Sequence, residues 1–273
     1  MRLPVPVGLV SAPRLVATDL DGTLLRSDGT VSARTVATLA ELDRRGVPVV
    51  FVTARPIHWV IELAPLVGGR GWVICSNGAV LLDLPRDEVV MARTMTAVQL
   101  RNAVDAIRAE TSDVTFALVG LHGYSKEPGY VERTGMPPNS AVGPIDALIR
   151  DGETVKLLTR HGSMPPEAFR ALVTAAVSSG EVTASDLSGV IEISGPGVSK
   201  ATTLAIVCER FGVAAADVVA FGDMPNDLPM LAWAGRSFAV GEAHPAVVAA
   251  ATDRAGSNDD DGVARVLEEL FAL

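Results

Sequence analysis

Continuous apolar runs punctuate the chain, and each stops at polar or small residues. Leu15–Ala17 leads into Thr-Asp-Leu-Asp-Gly, Val49–Val52 into Thr-Ala-Arg and Val218–Phe221 into Gly-Asp, while GWVICSNGAVLL reads as one continuous third strand. Runs of this length without alternation predict strands buried on both faces. Between them the apolar residues fall at helical spacing. Val36, Leu39 and Leu42 predict one helix, with Ser32 as its N-cap and Gly46 as its stop. PIHWVIELAPL, KATTLAIVCERFG, NDLPMLAWAG and DGVARVLEELFAL predict further helices, and RSFAVG a further strand. Strands alternating with helices predict a Rossmann-like α/β core with a parallel sheet covered on both faces.

The middle of the chain has a different rhythm. EVVMARTM, DVTFALVG, TVKLLTR, EVTASD and GVIEIS read as short strands, with helical AVQLRNAVDAIRAE and PPEAFRALVTAAVSSG among them. That mixture predicts an α+β unit with an antiparallel sheet. Residues 1–83 and 194–273 are therefore expected to form one discontinuous core, and residues 84–193 an inserted cap. Gly120 to Pro144 reads as a long irregular loop, and the acidic run from Asn258 to Asp261 as a loop before the last helix.

Composition narrows the choices. At 273 residues the chain has room for one large domain or two modest ones. Its formal charge of -9 argues against a nucleic-acid backbone as partner, though not against a small anion held locally by a metal ion. Cys75 and Cys208 sit in apolar runs and read as buried, reduced thiols. The opening MRLPVPVGLVSA is too short and proline-broken for a signal peptide's apolar core, and no apolar run reaches the ~18 residues of a membrane helix. No membrane association and a cytoplasmic location are expected.

Candidate chemistry gathers at the strand ends, the edge of a parallel sheet where ligands bind. Asp19 and Asp21 follow the first strand. A lone Asp-Gly step is often only a turn, but two acids here can divide labour, one ligating metal and attacking, the other moving protons. Thr53 and Ala54 end the second strand with a hydroxyl and a backbone N–H able to cradle phosphate oxygens. Lys200 opens a helix after SGPGVS, where the helix N-terminus favours anions. Asp223 and Asp227 stand four apart beside Asn226 at a loop-to-helix transition; capping accounts for one acid, not both. Acid pair, hydroxyl, lysine and second acid pair together suit Mg²⁺, which takes oxygen ligands, with Asp19 attacking a phosphoryl group in line.

ATDLDGTLL, VTAR, GVSK and GDMPND, with ICSNGAVLL ahead of the insertion, resemble the haloacid dehalogenase superfamily and, within it, the Cof-type sugar-phosphate phosphatases. The resemblance covers the chain after Ala12. It implies a Mg²⁺-dependent phosphatase of small phosphorylated metabolites that works through an aspartyl-phosphate. By position it implies Asp19 as nucleophile and metal ligand, and Asp21 as general acid/base whose carbonyl also touches the metal. Leu20, Thr53, Ala54, Lys200 and Asn226 would bind phosphate, Asp223 would complete the metal ligands, and Asp227 would position Lys200 or metal-bound water. Arg55 and Asn77 would lie near the substrate. Ala54 stands where the family usually has Gly, keeping the amide but adding a Cβ, and Met224 stands where Asn is common.

His122, Tyr124, Lys126, Tyr130 and Arg133 concentrate polar and aromatic character in the cap segment LHGYSKEPGYVER. They read first as a solvent-facing loop and second as contacts to the leaving group. His58, His161 and His244 read as surface or packing residues. A phosphomutase acting on sugar phosphates is the nearest alternative function. A receiver-type signalling domain and a non-catalytic phospho-ligand-binding protein are more distant, and the oligomeric state is open.

Overall fold

The computed structural model describes residues 12–60, 71–131, 140–184 and 189–273. Before the insertion come β1 (Leu15–Thr18), β2 (Val49–Val52), β3 (Trp72–Cys75), β4 (Val80–Asp83) and β5 (Glu88–Ala92). The insertion carries β6 (Val114–Gly120), β7 (Tyr124–Lys126), β8 (Ala141–Val142), β9 (Thr154–His161), β10 (Glu181–Thr183) and β11 (Ile191–Ser194). After it come β12 (Val218–Gly222), β13 (Arg236–Val240) and β14 (Asp253–Ala255). The helices are α1 (Ala33–Arg44), α2 (Ala97–Glu110), α3 (Ile145–Leu148), α4 (Pro166–Ala176), α5 (Lys200–Phe211), α6 (Leu228–Trp233), α7 (Pro245–Ala250) and α8 (Gly262–Phe271).

The larger sheet has the order β14-β13-β12-β1-β2-β3-β4-β5. From β14 to β3 every pairing is parallel; β4 and β5 are antiparallel additions. The side chains of its central strands alternate between two largely apolar faces. Val16 and Phe51 pack with Leu39 and Leu42 of α1 and Leu267 and Phe271 of α8, whereas Leu15, Ala17 and Val50 pack with α5, α6 and α7. That two-sided burial explains why the strands read as unbroken apolar runs. Cys75 and Cys208 are free buried thiols, pushed by burial up to about 12 and about 11.

The smaller sheet, ordered β10-β11-β9-β6-β7-β8, is antiparallel except at β7–β8. One face packs Phe116, Leu118, Leu157, Ile191 and Ile193 against α2 and α4. The other places Ala117, Val119, Tyr124, Tyr130 and Val155 in the same apolar cluster as Leu20 and Val60 of the core. The cap is therefore seated on the core.

Four details depart from the sequence reading. The third apolar run breaks into a hairpin at Ser76, Asn77 and Gly78, all at positive φ (50, 57 and 105°). EVVMA, expected in the cap, is β5 and pairs with β4, because the hairpin's apolar strand needs a partner on its open side. Val36 is exposed, and the buried face of α1 is instead Thr35, Thr38, Leu39 and Leu42. The stretch from Gly120 to Pro144 contains β7 and β8. Of PIHWVIELAPL, a short turn at Ile57–Trp59 is described; the remainder from residue 61 lies outside the described residues. Ser32 caps α1 as expected, accepting the Thr35 N–H at 3.0 Å. Among the described residues no helix is long and apolar enough to cross a membrane.

Gly78 ties the hairpin to the start of α5. A Cβ on it would lie 2.1 Å from the Ser199 carbonyl oxygen, on a backbone already left-handed. Gly78→Ala should destabilise the protein by roughly 2–3 kcal/mol, combining left-handed strain and displacement of α5. Urea unfolding should show a lower midpoint with an unchanged m-value.

Candidate active site

Parallel pairing brings the ends of β1, β2 and β12 side by side, and the residues after them form the site. Asp19 follows β1 and donates its backbone N–H to the Phe221 carbonyl at 3.0 Å, fastening the β1 exit to β12. Leu20–Leu24 then make one wide turn, closed by Leu25 N–H to the Leu20 carbonyl at 2.8 Å. Within it Gly22 lies at φ +74°, and a Cβ there would fall 2.4 Å from Asp223 Oδ2. Glycine is what lets the two acidic loops approach.

Lys200 enters from α5. Ser199 caps that helix, accepting the Thr202 N–H at 3.2 Å, while the Thr202 hydroxyl accepts the Ser199 N–H at 3.1 Å. The Lys200 ammonium donates to Asp19 Oδ1 and Asp227 Oδ1, each at 2.6 Å. It is wholly buried. Burial opposes its charge, yet the two carboxylates hold its pKa above the ordinary lysine value. Asp227 uses its other oxygen to accept the N–H groups of Asp223 and Met224, both at 3.0 Å. Asp223 accepts from the Thr23 hydroxyl at 2.8 Å and is fixed at its carbonyl by the His244 N–H at 2.8 Å.

Single oxygens of Asp19, Asp223 and Asp227 come within 4.8 Å of one another. Three carboxylates against the one Lys200 ammonium leave two negative charges unmatched. The electrostatics agree: burial, opposed by Lys200, drives the Asp19 carboxyl well up, with Asp227 and Asp223 adding to the rise. Burial and then Asp227 push Asp223 up to about 6. Among the described residues the Asp19 and Asp223 carboxylates hydrogen-bond through Oδ1 alone, whereas both Asp227 oxygens are occupied. A hard divalent cation fits this all-oxygen donor set and its charge. Asp19 and Asp223 would hold it, with Asp227 behind them.

The remaining predicted residues surround this centre. Thr53 is fully buried, and its hydroxyl accepts the Arg55 N–H at 3.0 Å. Arg55 forks onto Asp21 through Nε (2.8 Å) and Nη2 (2.6 Å), so Asp21 is both half-exposed and engaged. Asn226 donates Nδ2 to Asn77 Oδ1 at 3.1 Å, and its own Oδ1 is buried without a partner among the described residues. The structure thus joins Asp19, Lys200, Asp223 and Asp227 in one cluster, Asp21 with Arg55, and Asn77 with Asn226.

Tyr124 and Tyr130 are buried against the core, which corrects the reading of their segment as a solvent-facing loop. His122 is exposed; Arg133 lies outside the described residues. Sequence reasoning missed Thr23, although it stands in the quoted motif, and also Lys156 and Glu192. The cap carries these two as a buried pair, 2.9 Å apart, against the site. Their signal was a single charge inside an apolar strand, in TVKLL and VIEIS.

A family model described as haloacid dehalogenase-like hydrolase matches residues 16–267. The chain is 31% identical over 276 residues to 5-amino-6-(5-phospho-D-ribitylamino)uracil phosphatase YitU of Bacillus subtilis, covering 96% of this chain and 98% of that one. It is 27% identical to a phosphoglycolate phosphatase of Methanopyrus kandleri, covering 94% and 97%. Its fold is shared with SMU.1108c of Streptococcus mutans at a TM-score of 0.85 and 23% identity, covering 96% and 100%.

The raised Asp223 pKa fixes a sign. An acid raised on folding makes the folded state bind more protons than the unfolded one between pH 3.8 and about 6, so stability falls as pH rises through that window. Asp223→Asn removes the penalty. In metal-free protein at pH 8 it should raise stability by on the order of 2 kcal/mol, a gain that vanishes below about pH 4. Adding a divalent cation should reverse the order of melting temperatures, since only the native acid set binds it. Thermal melts across pH, with and without the ion, check both.

Proposed function

The chain belongs to the haloacid dehalogenase-like hydrolases of Cof type, and we propose that it is a Mg²⁺-dependent phosphatase of small phosphate monoesters. One observation carries this reading: Asp19 sits at a strand end with Oδ1 held by Lys200 and a carboxylate oxygen within 4.8 Å of oxygens of Asp223 and Asp227. In the catalytic unit we include the strands up to Ala92 and those after Ser194, with the cap between them.

A carboxylate oxygen of Asp19 attacks phosphorus, and the bond from phosphorus to the leaving oxygen breaks. The leaving oxygen takes a proton from Asp21. Asp21 then removes a proton from water as that water attacks the phosphorylated Asp19, releasing phosphate and restoring both carboxyl groups. Bound Mg²⁺ supplies charge neutralisation for the transferring group. Lys200 holds Asp19 in one rotamer and offsets the phosphoryl charge. The Thr53 hydroxyl has its acceptor side filled by the Arg55 N–H, which turns its proton outward as a donor to phosphate. Both Asp21 oxygens are occupied by Arg55 in the arrangement described, so proton delivery requires that fork to open.

The named activities of the relatives concern a ribityl phosphate and phosphoglycolate, which supports small, anionic phosphate esters as the substrate class. The proposal places the protein with soluble enzymes of the cytoplasm. Phosphate release from a panel of sugar, polyol and carboxylate phosphates, with and without Mg²⁺, tests it. Asp19→Asn should lower the rate on the order of a thousandfold or more at unchanged fold, and Asp21→Asn about 10²- to 10⁴-fold. Comparable activity after chelation of Mg²⁺ would overturn the reading.

A further inference from the structure

We propose that the buried cap pair Lys156–Glu192 positions the phosphate-binding loops of the core, so that seating of the cap completes the phosphate site. The inference rests on the phosphatase reading and adds two positioning residues to it.

Lys156 lies on β9 and Glu192 on β11, where Glu192 faces Leu158 across the ladder. Strand alternation puts Lys156 on the same sheet face as Leu158, and therefore beside Glu192. This face otherwise presents Ala117, Val119 and Tyr124 to the core. Two charges on it, 2% and 5% exposed, cost free energy to bury, and a pair serving the cap alone is often replaceable by apolar residues. These two reach outward instead. Lys156 Nζ donates to Glu192 Oε1 at 2.9 Å and to the Ala54 carbonyl at 2.8 Å. Glu192 Oε2 accepts from Asn77 Nδ2 at 2.5 Å, and Asn77 Oδ1 accepts from Asn226.

Each contact ends on a loop of the site. The Ala54 carbonyl belongs to the same peptide plane as the Arg55 N–H, which donates to the Thr53 hydroxyl. Holding that carbonyl from above holds the N–H below it, and with it the direction in which Thr53 presents its proton. Asn77 stands in a left-handed turn, with Gly78 against the start of α5, and it fixes the amide of Asn226 in the loop carrying Asp223 and Asp227. The cap pair thus links the loop after β2 to the loop after β12. A lifted cap would leave Ala54 and Asn77 without these partners.

A positioning role and a leaving-group contact separate cleanly, because inorganic phosphate has no leaving group. The full-length double variant Lys156→Met/Glu192→Gln leaves no unpaired buried charge and should melt within a few degrees of the native protein. With Mg²⁺ present, calorimetry should find inorganic phosphate bound about tenfold more weakly, the effect expected for a lost charged hydrogen bond. Its kcat/KM should fall by a similar factor for every phosphate monoester tested. Lys156→Arg, which retains a donor, should recover part of the loss. Unchanged phosphate affinity, or a loss confined to one class of leaving group, would overturn the inference while leaving the phosphatase reading intact. Native protein that neither releases nor binds phosphate with Mg²⁺ would overturn both.

Discussion

One ammonium buried between two carboxylates holds the site together. Lys200 comes from α5, Asp19 from β1 and Asp227 from the loop after β12, so the contact exists only when three distant segments have docked. Burying a lysine without partners is costly; with Asp19 and Asp227 at 2.6 Å, that cost is offset and the three groups become mutually dependent. Asp227 then uses its second oxygen to fix the backbone of Asp223 and Met224. A single ion cluster therefore sets where Asp223 stands, and Asp223 in turn fills the space that glycine leaves at position 22.

The same cluster is electrostatically incomplete. Burial first, and the neighbouring acids after it, raise both Asp19 and Asp223. Stability and function pull in opposite directions here: acids close enough to share a cation repel each other until one arrives.

Much of this was legible in the chain. Strand-end acids, the Thr53 hydroxyl and Lys200 at a helix start were readable because each lies next to a strong apolar or capping pattern. Their meeting was not readable from spacing, since Asp19 and Lys200 are joined only by the parallel order of β12, β1 and β2. The Ser76–Gly78 hairpin was hidden because apolar residues continue on both sides of a turn that only backbone angles reveal. Strand β5 was misplaced for a related reason: sequence gives a strand's existence, whereas its sheet is decided by which neighbour has an open edge. Lys156 and Glu192 went unread because a lone charge in a strand usually faces solvent. Their partners, Ala54 and Asn77, come from a different sheet.

The Asp21–Arg55 fork, which the proposed proton transfer opens, and the bonds of the cap to the core differ in energetic weight. Asp21 must leave Arg55, but that fork is at the surface, with the Asp21 side chain 57% exposed. Exposed pairs contribute only about 0–1 kcal/mol, so water replaces the fork at little cost. The Lys156–Glu192 pair is buried and carries bonds to the loops after β2 and β3. Both residues belong to the cap, so lifting the cap keeps the pair and gives up its bonds to the Ala54 carbonyl and the Asn77 amide, charged hydrogen bonds that weigh more than an exposed fork. The Asp21–Arg55 fork is therefore the weaker contact, and the bonds of the cap to Ala54 and Asn77 the stronger.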